Sequence, residues 1–235
     1  MRSVSPAASL PEPGTHGAVL CFPGGLPARI YLVRHGVSAW NGTRRVTGQA
    51  NPSLADKGRE QATRLQRVFD GEPLTAVYCS TLDRSIATAT PTARSHGLAI
   101  CKRDALREQH QGILEGRFRD QRDPQAAHLW RERKADRWNF RAPGGESLAD
   151  LQARAVPCLE DILRANVDGC VLIVGHQNTN RVLLGALLGW PGAFVQNLRI
   201  GSGYLYEIEP GNEVGLHTIS IGDRDTGERY DGLRA

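Results

Sequence analysis

The chain has 235 residues, 40% hydrophobic and 23% charged, with 29 Lys and Arg against 25 Asp and Glu for a formal charge of +4. Those proportions fit an ordinary soluble globular protein with a substantial core, and the mild positive balance suits anionic small molecules. They argue against a nucleic-acid partner, because the one basic run, "RERKADR" at 131–137, is broken by acids and reads as a solvated helix face.

The five cysteines (Cys21, Cys79, Cys101, Cys158 and Cys170) are scattered, odd in number and form no CxxC pair. Neither a disulfide framework nor a metal site is suggested, so a reducing cytoplasm is the expected location, with no cofactor. No apolar run approaches the roughly 20 residues of a membrane span, and the first residues lack the sustained apolar region of a secretory signal. A membrane partner is therefore not expected, and a homodimer is compatible with the sequence.

Residues 1–27 contain Pro6, Pro11, Pro13, Pro23 and Pro27 and read as a flexible Pro/Gly-rich leader, with "AVLCF" at 18–22 as a short docked strand. Residues 28–235 read as a single catalytic domain. "IYLV" at 30–33 is a strand, followed by a helix over 53–69 with Ala62, Leu65 and Phe69 at helical spacing. "AVYCS" at 76–80 is a second strand. The next helix ends near Gly97, with Pro91 expected to kink or shorten it. "LAICK" at 98–102 is a third strand, and residues 117–145 form a short helical insertion rich in Arg. A long helix covers 147–166, with Ser147 as its N-cap and Pro157 as an objection inside it. "CVLIVGH" at 170–176 is the strongest buried strand. A helix at 180–189 follows, and "GYLYEIE" and "GLHTISI" are expected as edge strands.

Strands alternating with helices predict an α/β fold, a three-layer α/β/α sandwich with a mostly parallel central sheet covered by helices on both faces. In such folds ligands bind beyond the carboxyl ends of the strands. Three strand ends carry reactive side chains: Arg34 and His35 after the first, Ser80 with Arg84 a turn later after the second, and His176 after the strongest. Two arginines and two imidazoles on one rim suit phosphate. Guanidinium forks match phosphate oxygens, and a neutral imidazole is a competent nucleophile toward phosphorus.

The stretch "LVRHGVSAWN" resembles the opening motif of the histidine phosphatase superfamily, in its phosphoglycerate mutase-like branch. "TGQANPSLADKGREQA" (47–62), "CSTLDRSIATA" (79–89), "LREQHQG" with "ILEG" (106–116), "PGGESL" (143–148) and "VGHQNTNR" (175–181 at its core) follow in the family order, so the resemblance spans about residues 29–209. It implies that His35 is the phosphorylated nucleophile, that Arg34 and Arg84 hold the phosphate, and that His176 completes the cluster. Glu108 is implied as the general acid, while Asp83, Asp104 and Glu115 lack the motif position. Asn41 aligns with the phosphate-contacting asparagine, although an Asn-Gly pair also makes local turns. Thr47 and Gly48 fall where relatives line the substrate mouth, and Gln177 follows the second histidine, where the family pattern also puts a ligand contact.

Mutases of the superfamily usually carry "ERHYG", whose arginine helps to hold a substrate carboxylate. Here the stretch is "EQHQG", with Gln109 and Gln111 in place of the arginine and tyrosine, and only 29 residues (117–145) precede Glu146. A shorter lid admits water, so the resemblance implies a metal-independent phosphatase acting on a small phosphomonoester. Mutase-type transfer and a non-catalytic phospho-ligand-binding relative are the alternatives. Val37 departs from the polar residue common at its position and is expected to alter the pocket entrance. Arg119, Trp130, Arg137 and Trp138 are expected to shape the substrate's non-phosphate end.

Overall fold

A computed structural model describes residues 25–119, 123–211 and 214–234, so the strand expected at 18–22 and most of the leader lie outside the described residues. In chain order the elements are β1 (Arg29–Arg34), α1 (Asp56–Val68), β2 (Ala76–Cys79), α2 (Asp83–Ser95), β3 (Ile100–Lys102), α3 (Ala127–Ala135), α4 (Leu148–Arg164), β4 (Cys170–Gly175), α5 (Gln177–Leu188), α6 (Gly192–Val195), β5 (Tyr204–Glu209), β6 (Gly215–Ser220) and β7 (Arg229–Asp231).

The strands form one sheet in the order β3-β2-β4-β1-β5-β6-β7. The pairings β1–β4, β2–β4 and β2–β3 are parallel, whereas β1–β5, β5–β6 and β6–β7 are antiparallel. The expectation of a mostly parallel sheet thus describes only one half. The other half consists of antiparallel strands that need no crossover helix. β5 is also no edge strand: it lies between β1 and β6, and β7 takes the edge.

Side chains alternate across the sheet, as the two-residue period of a strand requires. Ile30, Leu32, Val171 and Ile173 pack with Leu151, Leu159, Leu183 and Leu187 of α4 and α5. Tyr31, Val33, Leu172 and Val174 pack with Leu65 of α1, Phe69 just past its end, and Ala89 and Ala93 of α2. Three layers result, and β1 and β4 are buried on both faces. A smaller cluster of Val46, Leu114, Ala126, Leu129 and Ala142 joins the loop after β1 to the insertion.

Helix boundaries follow local chemistry. Ser147 caps α4 through a reciprocal box, its Oγ accepting from the Asp150 N–H while the Asp150 carboxylate accepts from the Ser147 N–H. Both α2 and α4 run on past their prolines, Pro91 and Pro157. α2 ends instead at Gly97 (φ 65°), where the Gly97 and Leu98 N–H groups close on the carbonyls of Arg94 and Ala93. No helix is long and apolar enough to cross a membrane among the described residues, and Cys79, Cys101, Cys158 and Cys170 are free.

Candidate active site

β1 and β4 are adjacent, parallel and in register from Arg29↔Cys170 to Arg34↔Gly175, so the residue after each, His35 and His176, emerges on the same rim. The His35 N–H donates to the Gly175 carbonyl at 3.0 Å, extending the ladder by one residue. The chain then turns sharply against the start of α1. A Cβ on Gly36 would come within 2.5 Å of the Gly58 carbonyl, which is why a glycine follows the histidine.

His35 Nδ1 lies 2.7 Å from the Gly36 carbonyl oxygen. A carbonyl only accepts, so Nδ1 carries the proton and Nε2 presents its lone pair. Arg84 Nε donates to that Nε2 at 3.3 Å. The His176 ring stands beside it, with centroids 5.1 Å apart and planes at 57°. Burial, the Arg34 and Arg84 charges and, for His176, the neighbouring His35 hold both imidazoles well below the usual histidine range. Both are neutral at neutral pH. A histidine whose native pKa is depressed binds its proton in the unfolded chain first, so stability is complete above the unfolded value near 6.5 and falls on acidification. Denaturant unfolding midpoints should therefore drop between about pH 6.5 and pH 5, with a slope of up to about 1.4 kcal/mol per pH unit for each of the two histidines. A flat profile across that window would contradict the buried neutral pair.

His176 is wholly buried. Its Nε2 pairs with Ser80 Oγ at 2.7 Å, and Ser80 Oγ also accepts from the Leu82 N–H at 3.2 Å. His176 Nδ1 and Arg34 Nε are buried without a hydrogen-bond partner. Leaving such groups unpaired costs about 1–3 kcal/mol each, and a bound oxyanion is an acceptor both could use. Arg34 is otherwise anchored by Nη1 donating to the Ile200 carbonyl at 3.2 Å.

Arg84 is fully buried and is not an unoccupied fork. Its Nη1 donates to the Ala50 carbonyl at 2.7 Å and its Nη2 to the Gly48 carbonyl at 2.8 Å, leaving one N–H on each terminal nitrogen for a ligand. That 48–50 turn is itself pinned by Glu115, whose carboxylate accepts from the N–H groups of Gln49 (2.8 Å), Ala50 (3.0 Å) and Gln111 (3.0 Å). Gly48 has φ 51°, and a Cβ there would lie 2.1 Å from the Glu115 carboxylate. Glu115, set aside in the sequence for want of a motif position, is thus the residue that fixes the turn holding Arg84. Its partners in that turn, Gln49 and Ala50, are 66 and 65 residues away, so no local spacing could have revealed this role.

A cavity of about 280 Å³ opens at this rim, lined by Arg34, His35, Asn41, Thr47, Gly48, Arg84, Glu108 and Gln177, every candidate residue except the wholly buried His176, whose ring stands beside that of His35. The Glu108 carboxylate accepts from the N–H groups of Gln109 at 2.8 Å and Asn178 at 3.2 Å, the second being the opening turn of α5. Arg154 supports the segment, donating to the carbonyls of Ala105, Arg107 and Glu108 and to the Glu146 carboxylate. Asn41 makes the local turn allowed for it, with Oδ1 accepting from the Ser38 N–H and Oγ; only its Nδ2 remains to give.

Of the insertion residues expected near the substrate, only Arg119 lines the cavity. Trp138 instead packs on the main core and against Gly192, and Trp130 packs on the smaller cluster, because large aromatic rings bury more area there than at a polar mouth. Val37 does not line the cavity either: its N–H donates to Gln61 Oε1 and its carbonyl accepts from Ala55, fastening the loop to α1. Gln111, in the place of the mutase tyrosine, lines it too, as do Trp40, Arg44, Arg45 and Asn178, which carried no separate signal in the sequence. No group of three His, Cys, Asp or Glu able to hold a metal occurs among the described residues.

The profile of the histidine phosphatase superfamily (branch 1) matches residues 30–217. This chain belongs to that superfamily. A protein of Serratia proteamaculans (strain 568) named "Probable phosphoglycerate mutase GpmB" is 34% identical over 173 residues, covering 73% of this chain and 80% of its own; the Erwinia tasmaniensis protein of the same name is 35% identical over 174 residues, with the same coverages. Among solved structures, mycobacterial glucosyl-3-phosphoglycerate phosphatase superposes with a TM-score of 0.68 at 28% identity, covering 77% of this chain and 89% of that one. The α-ribazole phosphatase of Shigella flexneri, at 23% identity, shares the fold with a TM-score of 0.74 over 88% of this chain and 100% of its own.

Proposed function

We propose that the protein is a metal-independent phosphomonoesterase that hydrolyses a small phosphorylated metabolite of the cytoplasm through a covalent phosphohistidine. The observation that carries this reading is the unprotonated His35 Nε2, held by the Nδ1–Gly36 contact and lying 3.3 Å from Arg84 Nε in a cavity that also holds the Glu108 carboxyl. The Nε2 lone pair attacks phosphorus while the ester P–O bond breaks. The Glu108 carboxyl gives its proton to the departing alkoxide. Arg34, Arg84, the Asn41 Nδ2 and His176 stabilise the charge on the equatorial oxygens without reorganising. Water then attacks the phosphohistidine, Glu108 takes its proton, and the P–N electrons return to Nε2 as phosphate leaves.

A mutase would use the same phosphoenzyme but return the phosphoryl group to a retained substrate. Hydrolysis is favoured because Gln109 and Gln111, in the positions of the mutase arginine and tyrosine, are tied to one another: Gln109 Oε1 accepts from Gln111 Nε2 at 2.8 Å and from Asn178 Nδ2 at 3.1 Å. The exposed Gly42 and Arg44 at the cavity lining also leave its mouth open to water. Purified protein in excess EDTA should release inorganic phosphate from at least one member of a phosphomonoester panel. Isomerisation of a phosphorylated acid without phosphate release would establish the mutase instead, and activity lost to EDTA and restored by a divalent cation would overturn the metal-free reading.

A further inference from the structure

Three buried amides beside the cavity, Gln109, Gln111 and Asn178, form one hydrogen-bonded chain, and its two ends fix how each member is turned. At one end Arg181, 1% exposed, donates from Nη1 to Asn178 Oδ1 at 2.7 Å and from Nε to the Leu198 carbonyl at 2.8 Å. A guanidinium has no acceptor, so Asn178 presents its oxygen there and its Nδ2 to Gln109 Oε1, 3.1 Å away. At the other end Gln109 Nε2 donates to the Glu146 main-chain carbonyl at 2.8 Å, a group that only accepts. Both ends put the Gln109 oxygen toward its neighbours, and Gln111 meets it with Nε2, at 2.8 Å.

The Gln111 Oε1 is left over. It accepts from no group among the described residues, yet it is not sealed in as the Asn180 amide is, so it is reached from the cavity that Gln111 lines. The main chain holds the residue in place. Its N–H donates to the Glu115 carboxylate at 3.0 Å, its carbonyl accepts from the Leu114 N–H at 3.1 Å, and a Cβ on the next residue, Gly112, would lie 2.1 Å from the Pro143 carbonyl. The other neutral side-chain acceptors on the lining are occupied or unfixed. Oδ1 of Asn41 and of Asn178 are taken, whereas the Thr47 hydroxyl and the Gln177 amide, hydrogen-bonded to nothing among the described residues, can turn either way.

We infer that the leaving group of the substrate carries a hydroxyl that donates to Gln111 Oε1, which makes the substrate a phosphomonoester of a polyol. An ammonium would donate equally well, but five arginines line the cavity against a single carboxylate, Glu108, and repel a cation. A carboxylate or an ether has no hydrogen to give at this oxygen, and its entry would leave a fixed, dehydrated acceptor facing a lone pair. Sites built to pair a substrate hydroxyl reject analogues that lack it for the same reason. For its use in turnover this rests on the phosphatase reading, but binding can be read without it.

The test is calorimetric binding, in EDTA, of propylphosphonate, 3-methoxypropylphosphonate, 3-hydroxypropylphosphonate and 2,3-dihydroxypropylphosphonate. At least one hydroxylated probe should bind about 10-fold or more tightly than both propylphosphonate and the methoxy ether, which accepts but cannot donate. Gln111→Met, similar in length but without the oxygen, should bring that ratio toward one. Gln109→Met leaves Gln111 in place but unties its amide, and should lower the ratio as well. A native protein that binds all four alike overturns the inference, and so does a methoxy probe bound as tightly as the hydroxylated ones. A preference that survives Gln111→Met, or that Gln109→Met leaves unchanged, overturns it too. Melting curves establish that each variant is folded, and the native affinities decide the first point without them. If no ester is hydrolysed yet the hydroxyl preference holds and falls with Gln111, the hydroxyl contact stands and the phosphatase reading fails; ester hydrolysis without the preference is the converse.

Discussion

His35→Ala is expected to lower kcat/KM for every phosphomonoester substrate by at least about 10⁴-fold, with a cooperative melt retained. The size of the effect follows from the role: no other side chain in the cavity offers a lone pair to phosphorus with a guanidinium 3.3 Å away. His176 is not an equivalent nucleophile, because its Nε2 is engaged by Ser80 Oγ. Rapid quenching of the native protein with labelled substrate should trap a phosphoenzyme that is stable to base and labile to acid, as a phosphoramidate is, and the variant should give none. Free imidazole, small enough for the space left by the side chain, should restore part of the turnover. A variant that retains native turnover would remove His35 from the chemistry altogether.

Glu108→Gln has the second largest expected effect, and its size should depend on the leaving group. An alkyl ester expels a strongly basic alkoxide, so loss of the proton donor should cost about 10²–10⁴-fold in kcat. An aryl phosphate with an acidic phenol needs no such donor, and phosphorylation of His35 should proceed nearly as fast as in the native protein. Hydrolysis of the phosphohistidine still lacks its base. Stopped-flow traces with the aryl ester should accordingly show a burst of phenol followed by a slow steady state. Gln keeps the carbonyl oxygen that accepts from the Gln109 and Asn178 N–H groups, so the segment's geometry is largely preserved. Equal losses on both ester classes with no burst would make Glu108 a binding group and send the proton-transfer role elsewhere.

The parts of this molecule that the sequence made legible share a physical cause. β1 and β4 are apolar runs buried on both faces, and each ends abruptly in a histidine, so strand and site could be read from the same few residues. The Ser147 cap was visible because capping is local, with its partner Asp150 three residues on. β7 was not, being three residues long with two of them charged and exposed. α5 begins at Gln177, three residues before its apolar stretch, because its polar first turn faces the site where loop residues would otherwise be expected: the Asn178 N–H meets Glu108, and Thr179 Oγ1 donates to the Arg107 carbonyl. Hydrophobic periodicity cannot report a turn buried for polar reasons. Glu115 escaped for a related reason, since it acts through backbone groups brought near it by the tertiary fold.

The pairing of β1 with β4 has an evolutionary corollary. Neighbouring strands stand about 4.8 Å apart, and the two imidazole centroids, each one residue past its strand, are 5.1 Å apart. The spacing of the two imidazoles is thus set by the sheet's own repeat and is indifferent to loop length. The mouth belongs to the segments around 41–48 and 116–119, which can lengthen, shorten or exchange residues without touching that repeat. Lineages sharing this scaffold are free to diverge in what their cavity mouths recognise while inheriting the same pair of imidazoles.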